Sequence, residues 1–270
     1  MPDTLARAIK NRRAILFVGA GVSVGLGLPS WQQLIAHMGE DLGFDPDIFA
    51  APGASFLTLA EYYLLEKGSI GPLRSWMDRH WSAPDDQVLS SVVHNHIVDL
   101  DFPLIYTTNY DRNLEAIYRL RRKPFEKVAN TRDLARVDPL TTQIIKFHGD
   151  FDDDQSIVLG ETNYFERLAF ESPLDIKFRA DALDKTILFV GYSLSDLNMR
   201  LLLYKLQKAW QASGYERDRP RSYVFMVRPD PIQERVLENW GITALNEDTD
   251  NPDDALPTFF AKLKERIALL

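Results

Sequence analysis

The chain has 270 residues, with 31 Lys and Arg against 39 Asp and Glu for a formal net charge of −8, and its 45% hydrophobic and 26% charged content excludes a disordered or collagen-like polymer. Cysteine is absent, which excludes disulfides, Cys-liganded zinc and thiol chemistry. No apolar run approaches the roughly 18–20 residues that cross a bilayer, the N-terminus carries no basic-then-apolar leader, and the acidic balance disfavours a broad nucleic-acid surface, so a soluble, cytoplasmic protein is expected.

In chain order, the first strong signal is Ala14–Val18, an apolar run without alternation, as suits a strand covered on both faces. Gly19, Ala20, Gly21 and Ser23 follow directly behind it. Two glycines there permit a tight turn and let backbone amides approach a pyrophosphate, and a helix starting at the loop would add a favourable dipole. The dinucleotide fingerprint G-x-G-x-x-G is incomplete, because Val24 occupies the third glycine position. The acidic residue expected about twenty positions on is also missing, since Glu40 and Asp41 lie in a helical pattern. This argues against a standard hydride-transfer site and leaves a purely structural strand-to-helix turn as the alternative.

From Trp31 to about Leu100 the spacing is helical, and helices are predicted over Trp31–Leu42, Phe56–Lys67, Ile70–Trp81 and Gln87–Leu100. Parallel crossovers normally need far less chain. Residues 31–100 therefore read as a helical subdomain inserted into a Rossmann-like domain of residues 1–30 and 101–270. Further strands are predicted at Pro103–Thr107, Gln143–Phe147, Ser156–Leu159, Thr186–Val190, Ser222–Val227 and Gly241–Leu245. Helices are predicted after Ser195, over Pro231–Trp240 with Asp230 as its cap and Gly241 as its stop, and over roughly 252–270. Strands alternating with helices predict an α/β, doubly wound and mainly parallel sheet.

Three more motifs sit behind predicted strands, at the edge where open α/β sheets bind ligands. Asn109 and Asp111 follow the strand at Pro103–Thr107, and either side chain equally suits a cap for the helix through Leu114, Ile117 and Tyr118. His148 follows the next strand beside Gly149, where an imidazole can serve as a general base or simply as a turn residue. Gly191, Ser193, Ser195 and Asp196 follow Thr186–Val190. Ser195 suits a helix cap, while Gly191 and Ser193 are placed to meet a phosphate or ribose. Convergence of four strand-end motifs on one edge marks a site.

In this order, Gly19 to Ser23, Gly27 to Pro29, Thr107 to Asp111, His148 with Gly149, and Gly191 to Ser193 resemble the sirtuin superfamily. The stretch Ser156 to Tyr164 is similar to the sirtuin-like domains of bacterial defence systems. Protein-deacylating sirtuins carry a four-cysteine zinc ribbon and a Pro-Asp-Phe-Arg sequence; this chain has no cysteine, and Ser30, Trp31 and Gln32 follow Pro29. The resemblance thus implies the branch that hydrolyses NAD in antiphage defence, yielding ADP-ribose and nicotinamide, with no zinc. It implies Asn109, His148 and Asp111 as catalytic residues, Asp111 orienting Asn109 or the ribose, and Gly19, Ala20, Gly21, Ser23, Gly191, Ser193 and Asp196 as nucleotide contacts. It further implies a homo-oligomer held silent by a regulatory partner, an ATPase or an Argonaute-like protein. The alternatives are a non-catalytic sensor of NAD or ADP-ribose and, disfavoured by the departures above, an NAD-dependent protein deacylase. A nuclease built on His94 and His96 is disfavoured because residues two apart do not share a helix face.

Overall fold

In the computed structural model, which describes residues 1–45, 49, 55–192 and 197–270 (for Leu197 the backbone only), Ala14–Val18 (β1) is buried at every position. Its residues alternate between two cores: Ala14, Leu16 and Val18 face one, Ile15 and Phe17 the other. A strand with both faces covered has to be apolar throughout, which is why this segment shows no alternation.

The remaining strands are Leu104–Thr107 (β2), Phe125–Val128 (β3), Thr142–Lys146 (β4), Thr186–Val190 (β5), Ser222–Phe225 (β6) and Ile242–Leu245 (β7). Their order across the sheet is β3-β4-β2-β1-β5-β6-β7, and every pairing among the described strands is parallel. This is the doubly wound α/β sheet predicted from the alternation of strands and helices. The chain winds outward on one side of β1 through β2, β3 and β4, then returns to the other side with β5. The switch point therefore lies between β1 and β5, where the connections diverge; open α/β sheets bind ligands outside the carboxyl ends of the strands at such a point.

One face of the sheet is covered by Asp3–Lys10 (α1), Asp85–Ser90, Val92–Leu100, Asn113–Leu120 and Ala255–Ala268, which supply Leu5, Val88, Ile97, Ile117 and Phe259 to its core. The other face is covered by Pro173–Asp184, Leu197–Ser213 and Pro231–Asn239, supplying Phe178, Leu203 and Leu237. Trp31–Asp41 (α2), Phe56–Lys67 (α3) and Gly71–His80 (α4) build a third core of their own around Leu34, Met38, Tyr63, Leu73 and Met77. That third core also takes in Tyr110, Phe151, Ile157 and Leu159, from the loops behind β2 and β4.

Four sequence expectations are corrected. The predicted helix Gln87–Leu100 is two helices, Asp85–Ser90 (α5) and Val92–Leu100 (α6), because Ser91 is extended and its hydroxyl caps His94 N. Both pack on the sheet, so the helices that build the separate core end at His80, with Trp81 just behind them, and do not run to residue 100. Ser156–Leu159 is no strand: a 3-10 turn over Asp154–Ser156 leads into extended chain whose Ile157 and Leu159 enter the helical core. Conversely β3, with the sequence Phe-Glu-Lys-Val, escaped notice because an edge strand has only one partner and keeps its first three residues half-exposed.

Candidate active site

The glycine loop is laced onto the end of β5. Gly19 N donates to Val190 O (3.0 Å) and Gly21 N to Gly191 O (2.9 Å), while Val22 N and Ser23 N return to Gly19 O and Ala20 O. A Cβ on Gly19 would lie 2.7 Å from the Tyr192 ring, and one on Gly21 2.8 Å from Gly191 Cα. Two backbones here approach more closely than any side chain permits, and Gly191 itself adopts a positive φ of 59°. This revises the phosphate-cradle expectation. The amides of Gly19, Gly21 and Ser23 are engaged by protein carbonyls. The loop continues as short 3-10 turns, Ala20–Val22 and Val24–Leu26, so that α2 begins only at Trp31 and contributes no dipole to the loop. Ala20 and Gly21 remain exposed, and the Ser23 hydroxyl lies buried beneath them.

Behind β2, Thr107 turns the chain toward this loop. Its hydroxyl donates to Val18 O (3.0 Å) and accepts from Asn109 N (3.0 Å). The Asn109 carboxamide donates through Nδ2 to Gly19 O at 3.2 Å, which fixes its orientation and leaves its oxygen as the acceptor end. Asn109 therefore is not the helix cap. Nor is Asp111, because the N-cap position is Arg112 and has no side-chain cap; Asp111 Oδ1 instead accepts from Asn113 N (3.1 Å), two residues on, and so orders the turn that leads into Asn113–Leu120 (α7). Asn113 Nδ2 in turn reaches Ser23 Oγ at 3.4 Å, tying this turn to the glycine loop.

His148 follows β4. Thr107 pairs with Lys146 in the parallel ladder, and Phe147 N donates to Thr107 O (2.7 Å). Asn109 and His148 thus each stand two residues beyond a register-matched pair, on strands that lie about 4.8 Å apart. The imidazole is buried and meets the Tyr164 ring edge-on at 5.4 Å between centroids. Burial first, and then the Arg167 guanidinium, hold its pKa down to about 3, so it is neutral at pH 7. Arg167 stacks 4.1 Å over the Phe147 ring, donates to Phe147 O and pairs with the buried Asp175. A water-sized cavity of about 10 Å³ lies among His148, Arg167, Asp175 and Asn198.

The structure therefore brings Gly19, Ala20, Gly21, Ser23, Asn109, Asp111, His148 and Gly191 to one edge of the sheet, at the ends of four neighbouring strands. Ser193, Ser195 and Asp196 lie outside the described residues. Thr107, Asn113, Lys146 and Arg167 were not singled out from the sequence. Thr107 and Lys146 stand inside motifs that were, but nothing local shows their hydroxyl and ammonium reaching back into the site. Arg167 carries no local signal at all. Among the described residues no group of three or more His, Cys, Asp or Glu side chains is arranged to hold a metal ion, and no helix is long and apolar enough to cross a membrane.

A parallel sheet with a glycine turn at its switch point and polar groups gathered at the same edge defines a Rossmann-like domain. Residues 103–245, just over half of the chain, match the family model described as SIR2-like domain, and the chain belongs to that family. This confirms the resemblance read from the strand-end motifs. The chain is 31% identical over 202 residues to the NAD(+) hydrolase ThsA of Enterococcus faecium, covering 73% of this chain and 41% of that protein. It is 27% identical over 235 residues to the NAD(+) hydrolase ThsA of Bacillus cereus (strain MSX-D12), covering 84% and 46%. Defense-associated sirtuin 2 of Bacillus subtilis is 24% identical over 251 residues, covering 90% and 24%. The chain thus spans less than half the length of these curated relatives. Among solved structures, a mutant Sir2 homologue in complex with ADP-ribose matches with a TM-score of 0.50 at 12% identity, over 100% of this chain and 97% of that one; this likeness establishes the fold.

Proposed function

We propose that this chain is an NAD glycohydrolase that cleaves the nicotinamide–ribose bond to give ADP-ribose and nicotinamide, depleting NAD in antiphage defence. The carrying observation is the matched placement of Asn109 and His148 behind neighbouring strands, beside the glycine turn. The names of the relatives, NAD(+) hydrolases and a defence-associated sirtuin, support the substrate and the setting.

The chemistry asks little of an acid. The bond between ribose C1′ and the pyridinium nitrogen breaks with its electron pair moving to nitrogen, so nicotinamide departs neutral and an oxocarbenium-like centre remains at C1′. Water then adds its oxygen to C1′ and gives up a proton. Asn109 offers a fixed, uncharged carboxamide oxygen to a ribose hydroxyl or to that water. His148 receives the proton. Its depressed pKa is compatible with this role, because water bound to an oxocarbenium carbon is a far stronger acid than imidazolium. Asp111 acts indirectly, by ordering the turn that carries Asn109. Ser23 and the exposed edge of Ala20 and Gly21 are assigned to the phosphates, and Gly191, Ser193 and Asp196 to the nucleotide. A homo-oligomer, cytoplasmic location and control by an ATPase or Argonaute-like partner complete the proposal, since an ungated enzyme would empty the cell's NAD pool.

The test is nicotinamide release by the purified protein, alone and with its operon neighbours. Asn109→Ala and His148→Ala should each lower the rate by about 10²–10⁴-fold while the variants keep the wild-type fold by circular dichroism. Full activity in both variants would remove the proposed catalyst, and NAD bound without nicotinamide release would make the domain a sensor.

A further inference from the structure

Lys146 is fully buried, yet it carries an ammonium group. Taking a charge out of water is costly, and structures tolerate it only where partners are close and well arranged. The partners are unusual. Lys146 Nζ donates to the main-chain carbonyl of Asp111 and reaches that of Tyr110 at 3.4 Å. Its carboxylate partner, Glu115 in the first turn of α7, is the more distant one, with Oε1 at 3.5 Å. Both Glu115 oxygens lack a hydrogen bond among the described residues. Burial pushes the Glu115 carboxyl up, and Lys146 pulls it partly back. The nearby Asp150 is served from elsewhere, by Lys127 at 2.8 Å and Arg112 at 3.9 Å.

A lysine serving only as counter-ion to Glu115 would turn its hydrogen bonds to the carboxylate. This one instead grips two consecutive carbonyls of the chain that immediately follows Asn109. It does so from β4, two residues before His148, across the strand pair that joins Thr107 to Lys146. We propose that Lys146 is a positioning residue. It clamps the 109–111 turn to the end of β4 and so fixes the Asn109 carboxamide relative to the His148 imidazole. The inference rests on the NADase reading for its catalytic consequence, but the clamp itself is a property of the folded chain.

Three variants separate the clamp from simple charge balance: Glu115→Gln, Lys146→Met, and Lys146→Met with Glu115→Gln. The last removes both buried charges together, which avoids the penalty of leaving one unpaired. Each is compared with wild type for kcat, KM, melting temperature and amide hydrogen exchange over residues 107–113 without substrate. A clamp predicts that Glu115→Gln keeps kcat within about threefold, because the carbonyl contacts survive. The double variant should fold, lose about 10–100-fold in kcat, as small misplacements do, hold KM within a few-fold, and exchange faster at residues 107–113. Wild-type kcat and exchange in the double variant would overturn the proposal. So would a kcat loss in Glu115→Gln equal to that of the double variant, or a double variant that fails to fold, which would make the lysine purely structural. If wild type releases no nicotinamide, the functional reading fails, and the exchange data still decide the clamp.

Discussion

Gly19 is where one added methyl group has a large consequence. An alanine Cβ there would stand 2.7 Å from the Tyr192 ring and 2.8 Å from Tyr192 Cα, and closer still to Gly191 O. Backbone atoms held by two interstrand hydrogen bonds cannot step aside as a flexible side chain would, so Gly19→Ala should destabilise the fold by about 1–3 kcal/mol or more. For a chain of this size that is a fall of roughly 2–4 °C in Tm per kcal/mol, visible in the absence of nucleotide. An unchanged melt combined with weakened NAD binding by calorimetry would instead return the glycine to the ligand-approach role that the sequence suggests. The strand-end positions of Gly19, Asn109, His148 and Gly191 could be read from apolar runs followed by polar punctuation. Which of their polar atoms are already engaged could not be. The partners of Gly21 N, Asn109 Nδ2 and the His148 ring are Gly191, Gly19 and Tyr164; two of these pairs span more than eighty residues, and none follows from local spacing.

Elements with two covered faces or strong caps were legible; those defined by a distant neighbour were not. α2 starts at Trp31, as its helical spacing predicts, and the structure adds a full capping box there, with Ser30 and Gln33 exchanging bonds. β3 has no such signature. The break at Ser91 depends on one hydroxyl choosing His94 N and His94 Nδ1 over continued helix. Segment 156–159 is apolar like a strand, but its Ile157 and Leu159 are drawn into the helical core. Trp81 joins that core to the site. It stacks parallel on Tyr110 at 5.5 Å and donates Nε1 to Pro29 O at 2.9 Å, while the Tyr110 hydroxyl holds Val158 O. Trp81→Ala should cost about 3–5 kcal/mol in the manner of large core truncations. Hydrogen exchange should quicken first in α2, α3, α4 and the 109–111 turn, because their shared packing is lost while β1 and β5 keep theirs. Equal loosening of the central strands would mean that the helical core and the sheet unfold as one unit.

Over the whole molecule, the buried imidazoles set the response to acid. His148 titrates near 3 because burial and then Arg167 oppose its charge, and the fully buried His94 is lowered by burial, with Asp111 acting against it. In the unfolded chain both return to about 6.5. Below pH 6.5 the unfolded state therefore binds protons that the native state refuses, and stability falls as pH falls. For His148 alone the slope is about 1.4 kcal/mol per pH unit, continuing down to its folded pKa. Glu115 works in the opposite sense: its raised carboxyl makes the unfolded state the first to release a proton as pH rises through the ordinary carboxylate range. Asp152, held low chiefly by the hydrogen bond from Lys127, adds a further loss only in stronger acid. The histidine signal is thus cleanest between about pH 5 and 6.5, where the ordinary carboxylates are mostly ionised in both states. Urea unfolding at constant m should show at least about 2 kcal/mol less stability at pH 5 than at pH 7, and His148→Gln should remove a large part of that difference. The same neutrality fixes the activity profile, in which kcat/KM should show no acid limb near 6.5, because the imidazole is already the free base throughout. A limb at 6.5 together with flat stability would mean that the native imidazole takes up its proton as freely as the unfolded one, and that the environment made by Tyr164, Phe147 and Arg167 does not set its charge.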